Sequence, residues 1–242
     1  MRGVRLSDLT WLEAERALHP GALCVLPLGA CAKEHGPHLR LDNDLVLADY
    51  WADRVLAELD VVLLPTLGWH YYPAFTEYPG SVSLRLETAR DLVVDIVRSV
   101  ARHGPRRFYV LNTGVSTVRA LAPAAEALAA EGVTLGYTDV IAALRPIVSE
   151  VAEQEGGTHA DEIETSILLA IAPDRVDMAK AVKDFHGDGP GGLTRTEGGP
   201  GVYSPTGAWG DPTLASREKG ERVVASYWKA LAADIERFRS AT

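Results

Sequence analysis

The chain reads as a three-layer α/β/α fold built on a mostly parallel sheet. Apolar runs of strand length at 22–28, 60–68, 106–112 and 132–137 alternate with stretches of helical periodicity, the order that produces parallel βαβ units. The run at 60–68 is continuous rather than alternating, as a strand covered on both faces is. Three of the four runs end in turns bearing Glu34-His35, Trp69-His70 and Asn112-Thr113-Gly114. A parallel sheet gathers such turns at one edge, where ligands bind.

The elements follow in order. A short helix is expected over 13–18, with Ser7 or Thr10 as N-cap. The strand at 22–28 leads through a polar stretch, 29–44, into a helix over 45–59. The strand at 60–68 opens an aromatic loop, 68–80, holding Trp69, His70, Tyr71, Tyr72, Phe75 and Tyr78. A short strand at 81–86 and a helix at 87–103 come next. The strand at 106–112 turns at 113–116 into a helix ending near 130, followed by the strand at 132–137 and a helix over 142–153. Glu155-Gly156-Gly157 breaks the pattern. Thr158 and Asp161 then have the spacing of a capping box for a helix over 158–172. That reading puts His159 in a first helical turn, where the imidazolium form is disfavoured. The segment 183–212 is a long loop rich in Gly and Pro, of the kind used for function or subunit contact. A helix over 214–239 closes the chain. With no repeat or linker visible, a single domain over 1–242 is expected.

A chain of 242 residues, 47% hydrophobic and 24% charged, has ordinary globular composition. Its net charge of −9 argues against nucleic acid as a partner. No apolar run is long enough to span a membrane, and no signal-peptide core follows Met1, so a cytoplasmic location is expected. Cys24 and Cys31 provide no disulfide framework. Cys31 is read as a small apolar filler rather than a nucleophile.

The stretch 29–44 carries the chemistry. Glu34, His35 and Asp44 are the imidazole and carboxylate donors that borderline divalent ions such as Zn, Mn and Fe take. Adjacent side chains reach one ion only where the backbone is irregular, which Gly36-Pro37 provides. Glu164 is a further candidate, set against the plain alternative of a carboxylate favoured at a helix start.

These residues also resemble a known family. Gly29-Ala30-Cys31-Ala32-Lys33-Glu34-His35-Gly36-Pro37-His38-Leu39 is similar to the G-S-x-E-Q-H-G-P-H-L signature of the creatininase family of metal-dependent amidohydrolases. His159-Ala160-Asp161-Glu162-Ile163-Glu164-Thr165-Ser166 resembles that family's H-A-G-x-x-E-T-S. The stretch 207–215 and Tyr78-Pro79-Gly80-Ser81 are supporting echoes, in the same order along the chain. The resemblance implies one or two divalent ions held by Glu34, His35 and Asp44, with His159 and Glu164 as catalytic residues. It also implies a homo-oligomer, a hexamer or similar ring.

The sequence departs from the pattern in three places. Lys33 stands where the family has a glutamate ligand, so that Glu34 takes its role through an altered turn or Lys33 replaces one ion's charge. Gly114 stands where a histidine ligand is usual, and Phe75 where another histidine is. His70 and His186 are candidates to compensate. The resulting expectation is a hydrolase of a small amide, cyclic amides included, using metal-activated water and His159 as proton shuttle. His38, Trp69, His70, Tyr72, Ser116 and Trp209 are expected around the substrate. Two alternatives stand beside it. Ser116, in Gly114-Val115-Ser116-Thr117, forms a partial nucleophile elbow that His159 and Asp44 would complete as a triad. The other is a fold that has lost ligands and binds a small molecule or partner without turnover.

Overall fold

The computed structural model describes residues 2–241. Its main sheet has five strands: β1 (Val4–Arg5), β2 (Leu23–Leu28), β3 (Val62–Leu63), β4 (Arg107–Asn112) and β5 (Thr134–Tyr137). Their spatial order is β1-β3-β2-β4-β5, and every pairing is parallel. The longest ladder joins β2 to β4, from Leu23↔Arg107 to Leu28↔Asn112. The helices are α1 (Trp11–Ala17), α2 (Asn43–Glu58), α3 (Leu86–Ala101), α4 (Val118–Ala129), α5 (Val140–Val151), α6 (Glu162–Ile171) and α7 (Arg217–Ser240).

The continuous apolar strands have their explanation in two cores. Leu23, Val25, Tyr109 and Leu111 pack with residues of α2, α5, α6 and α7. Cys24, Leu26, Leu28, Phe108 and Val110 pack on the other face, with α3 and α4. Side chains alternate along each strand, yet both faces are covered, so Leu23–Leu28 and residues 108–111 are apolar at every position. This is the three-layer α/β/α arrangement. The chain passes from β2 to β3 on one side and from β4 to β5 on the other. The connections therefore part between β2 and β4, and the crevice opens at the carboxyl ends of these two strands.

Several elements differ from the sequence reading. The strand at 60–68 shortens to Val62–Leu63 plus an isolated bridge, Leu28↔Leu67, because Pro65 has no N–H to give a ladder. No strand forms at 81–86. Val82 N donates to Ala32 O at 2.9 Å and Leu84 N to His70 O at 2.8 Å, so the segment stitches two loops together instead of pairing with one strand. The helix expected from 158 begins at Glu162, and the N-cap is Asp161, whose Oδ1 accepts from Ile163 N at 3.0 Å and Glu164 N at 2.9 Å. Ala160 has φ 46°, outside the right-handed helical region, so no capping box forms between Thr158 and Asp161. His159 thus lies before the helix, in an antiparallel bridge with Trp209. The loop at 183–212 contains a small parallel pair, β6 (Leu193–Thr194) and β7 (Val202–Tyr203). The first strand, Val4–Arg5, was too short to read from pattern. Both cysteines are free, and no described helix is long and apolar enough to cross a membrane.

Candidate functional site

The site forms where the loop after β2 folds back over the start of α2. Gly29 permits the approach, since a Cβ there would collide with the backbone of Asp44. Lys33, Glu34 and His35 are thereby set against Asp44, which sits in the first turn of α2. From the other wall, α6 contributes Glu164, and the bridge with Trp209 holds His159. Lys33, Asp44, His159 and Glu164 line a cavity of about 560 Å³. Glu34 and His35 are buried beside it.

The hydrogen bonds assign the protons. His35 Nδ1 is 2.9 Å from the Lys33 carbonyl, so Nδ1 carries the proton and donates. Its Nε2 then faces two more acceptors, Asp44 Oδ1 at 2.9 Å and Glu164 Oε1 at 3.6 Å. A neutral imidazole cannot satisfy three acceptors with one proton. Either a second proton or a cation must sit at Nε2. Burial and the Lys33 ammonium push the His35 pKa down, but Asp44 and Glu164 outweigh them and raise it. His159 Nε2 lies 3.0 Å from the Glu34 carbonyl and 3.1 Å from Glu34 Oε2, both acceptors. Its proton is therefore on Nε2, and Nδ1 keeps a lone pair, 3.9 Å from Glu164 Oε2.

The carboxylates are held individually. Glu34 Oε1 accepts from Gly36 N, and its other oxygen accepts a hydrogen bond from His159 Nε2. Burial alone would raise its pKa, but His159 and the Gly36 N–H outweigh burial and hold it below the usual range. Gly207, at φ 87°, makes room for this carboxylate, because a Cβ there would overlap it. Burial likewise opposes ionisation of Asp44, and Lys33 and His35 prevail and keep its pKa low. Lys33 Nζ is 2.6 Å from Asp44 Oδ2, forming a buried ion pair. Glu164 accepts from Asn43 Nδ2 at 2.9 Å and from Ala160 N at 2.8 Å.

This donor set fits a divalent cation. Donor atoms of His35, His159 and Glu164 lie within 4.8 Å of one another, and Asp44 Oδ1 is 2.9 Å from the same His35 Nε2. Both imidazoles give their other N–H to a carbonyl or carboxylate, the support that metal-binding histidines usually have.

The remaining candidates divide. Tyr72, Ser116 and Trp209 line the cavity, whereas His38, Trp69 and His70 do not. His38 is buried with Nε2 2.8 Å from Thr165 Oγ1, and burial pushes its pKa down to about 4. Trp69 is 45% exposed. His70 is fully buried and pushed by burial down to about 4. His186 pairs with Asp184 at 2.9 Å, so among the described residues neither His70 nor His186 joins the cluster. Ser116 Oγ donates to the Tyr71 carbonyl at 3.0 Å rather than to a histidine. Gly114 is on the cavity wall, and Phe75 packs against His159 with ring centroids 4.3 Å apart and the planes tilted by 42°. Glu162, next to the site in sequence, is absorbed by Lys219 and by the N–H groups of Glu153 and Gln154. Sequence reasoning missed Asn43, Arg119 and Arg145. Asn43 carried one signal, its place beside Asp44.

Comparison with known proteins agrees with this architecture. The family model for creatininase, creatinine amidohydrolase, matches residues 7–235. The creatinine amidohydrolase of Pseudomonas putida is 29% identical over 92% of this chain and 92% of its own length. The mycofactocin precursor peptide peptidase of Mycolicibacterium smegmatis is 31% identical over 94% of this chain and 90% of its own. A solved manganese creatininase aligns with TM-score 0.83 and 25% identity, covering 99% of this chain and 100% of that one. A glutamate-to-glutamine creatininase mutant of Zn-Zn type aligns with TM-score 0.82 and 25% identity over the whole of both chains. By its sheet order, its motifs and these relatives, the chain belongs to the creatininase family of amidohydrolases.

Proposed function

We propose that this chain is a metal-dependent hydrolase of a C–N amide bond, with His35, Asp44 and Glu164 holding a divalent ion and His159 moving the proton. The observation that carries the reading is the excess of acceptors at His35 Nε2, where two carboxylates meet an imidazole whose proton is committed elsewhere. Zn or Mn suits these nitrogen and oxygen donors, and relatives are described with both metals. Bound there, the ion would supply Lewis-acid polarisation of the amide carbonyl and activation of water.

The chain's own groups account for the rest. His159 offers the Nδ1 lone pair at the cavity wall, where it would take a proton from the attacking water and return it to the leaving nitrogen. Glu34 keeps the Nε2 proton in place and stabilises the imidazolium formed in between. Phe75, packed on the ring, restricts its rotation. The cavity wall is largely apolar, including Leu144, Val148, Ile163 and Leu193, with Arg119 and Arg145 also on the lining. Neither arginine has an ion-pair partner among the described residues. That combination suits an amide, cyclic or peptidic, with an apolar body and a carboxylate.

The test is metal analysis of purified protein followed by turnover of lactams, cyclic imides, formamides and dipeptides with added Zn or Mn. Absence of bound metal together with absence of metal-restored turnover overturns the proposal. A second reading, a binding protein without turnover, draws on Gly114 in the wall and on the Lys33–Asp44 ion pair. Any metal-restored turnover removes it.

A further inference from the structure

We propose that Lys33 is a built-in cation that restricts this centre to one divalent ion per chain. The proposal rests on the metal-dependent reading above. Lys33 is 6% exposed, and its Nζ lies 2.6 Å from Asp44 Oδ2, itself buried. The ammonium also sits over the Phe75 ring, 4.7 Å from its centroid, and 5.9 Å from that of Tyr72. It is thus packed into the wall rather than reaching in from solvent. A metal ion bound at His35 Nε2 would use the Asp44 Oδ1 side, while Lys33 takes the Oδ2 side. The Asp44 oxygen that would be left for a second ion is already paired with an ammonium.

Charge balance points the same way. Three carboxylates, Glu34, Asp44 and Glu164, surround the two imidazoles. Lys33 and one divalent ion neutralise them, with both histidines neutral as ligand and proton carrier. A second divalent ion would leave two uncompensated positive charges in a largely buried site, which is strongly unfavourable. Asp161, also on the cavity wall, does not supply them. Its oxygens cap α6 and accept from Gln154. Glu162 is neutralised by Lys219. Gly114, also on the cavity lining, has no side chain to offer a donor, and the Ser116 hydroxyl is directed at the Tyr71 carbonyl.

The experiment is a metal titration of the full chain, stripped of metal, by calorimetry and by equilibrium dialysis with elemental analysis, using Zn and Mn separately. The parent, Lys33→Gln and Lys33→Glu are compared, with circular dichroism to confirm folding. The parent is expected to bind one equivalent. Lys33→Gln acquires a weak second event. Lys33→Glu binds two, its second ion at least about 100-fold tighter than any second event in the parent, as replacing a positive by a negative charge a few ångströms away requires. Two equivalents in the parent, or a single event in a folded Lys33→Glu, overturns the inference while leaving the hydrolase reading intact. No binding by the parent overturns both. If Lys33→Glu does not fold, Lys33→Gln decides alone, and one unchanged event refutes the role of Lys33.

Discussion

Asn43→Ala isolates the support behind the proposed centre without touching a donor atom. Asn43 is 3% exposed and gives its Nδ2 hydrogen to Glu164 Oε1 at 2.9 Å. A hydrogen bond to a charged group is worth about 1.5–3 kcal/mol. The Glu164 side chain is 18% exposed, so water compensates in part and the lower end applies. A loss of about 1.5 kcal/mol weakens metal binding roughly tenfold, at 1.4 kcal/mol per decade, within the range found for partners behind metal ligands. In a chain of this size it also lowers the midpoint of thermal unfolding by about 3–6 °C. Chelator-competition titration with Zn reads the affinity, and differential scanning fluorimetry of the metal-free protein reads the stability. A double-mutant cycle with Glu164→Gln should return a coupling of about 1 kcal/mol. If Asn43→Ala binds metal like the parent and melts at the same temperature, Glu164 is not positioned by Asn43, and its assignment as a ligand loses its structural basis.

Other substitutions test other joints of the same site. His35→Ala and Asp44→Ala each remove a proposed ligand and should weaken Zn binding by more than about 100-fold, beyond the effect of losing a supporting residue; comparable affinity in either excludes that residue. Ser116→Ala should keep its turnover within about twofold and lose only about 1 kcal/mol of stability, the worth of its bond to the Tyr71 carbonyl, whereas abolished turnover would restore the triad. Gly207→Ala should lower the melting temperature, because φ 87° disfavours a side chain and the added Cβ overlaps Glu34. The pH dependence of the metal-free protein has two opposed parts. Glu34 and Asp44 have folded pKa values below their usual 4.5 and 3.8, so their stabilisation is present above those values and lost on acidification. Burial raises Asp161 from 3.8 to about 6, so the folded state binds its proton more tightly and stability falls as pH rises through that window. Asp161→Asn should abolish the second slope, up to roughly 3 kcal/mol, and an unchanged difference in unfolding free energy across the window would count against a strained Asp161.

The parallel sheet was legible because Leu23 to Leu28 and Phe108 to Leu111 are apolar without alternation, which only a strand covered on both faces requires. The stretch 29–44 was legible as a site because Gly36-Pro37 interrupts regular structure next to a histidine and carboxylates. The start of α6 was not. The spacing of Thr158 and Asp161 satisfies a capping box, and what defeats it is the positive φ of Ala160, imposed by the pairing of His159 with Trp209. That pairing joins residues 50 positions apart and has no local signature.

The amino-acid order alone settled the layer architecture, the family signature and the polar turn after β2, because these depend on periodicity and on neighbours in sequence. Tertiary contact decided the partnerships within the site. It set Glu34 on His159 rather than beside Asp44, and Lys33 on Asp44. It brought Glu164 to His35 from more than a hundred residues away. Each of these is a contest between charges for the nearest buried partner, and distance in space, which sequence does not carry, decides it.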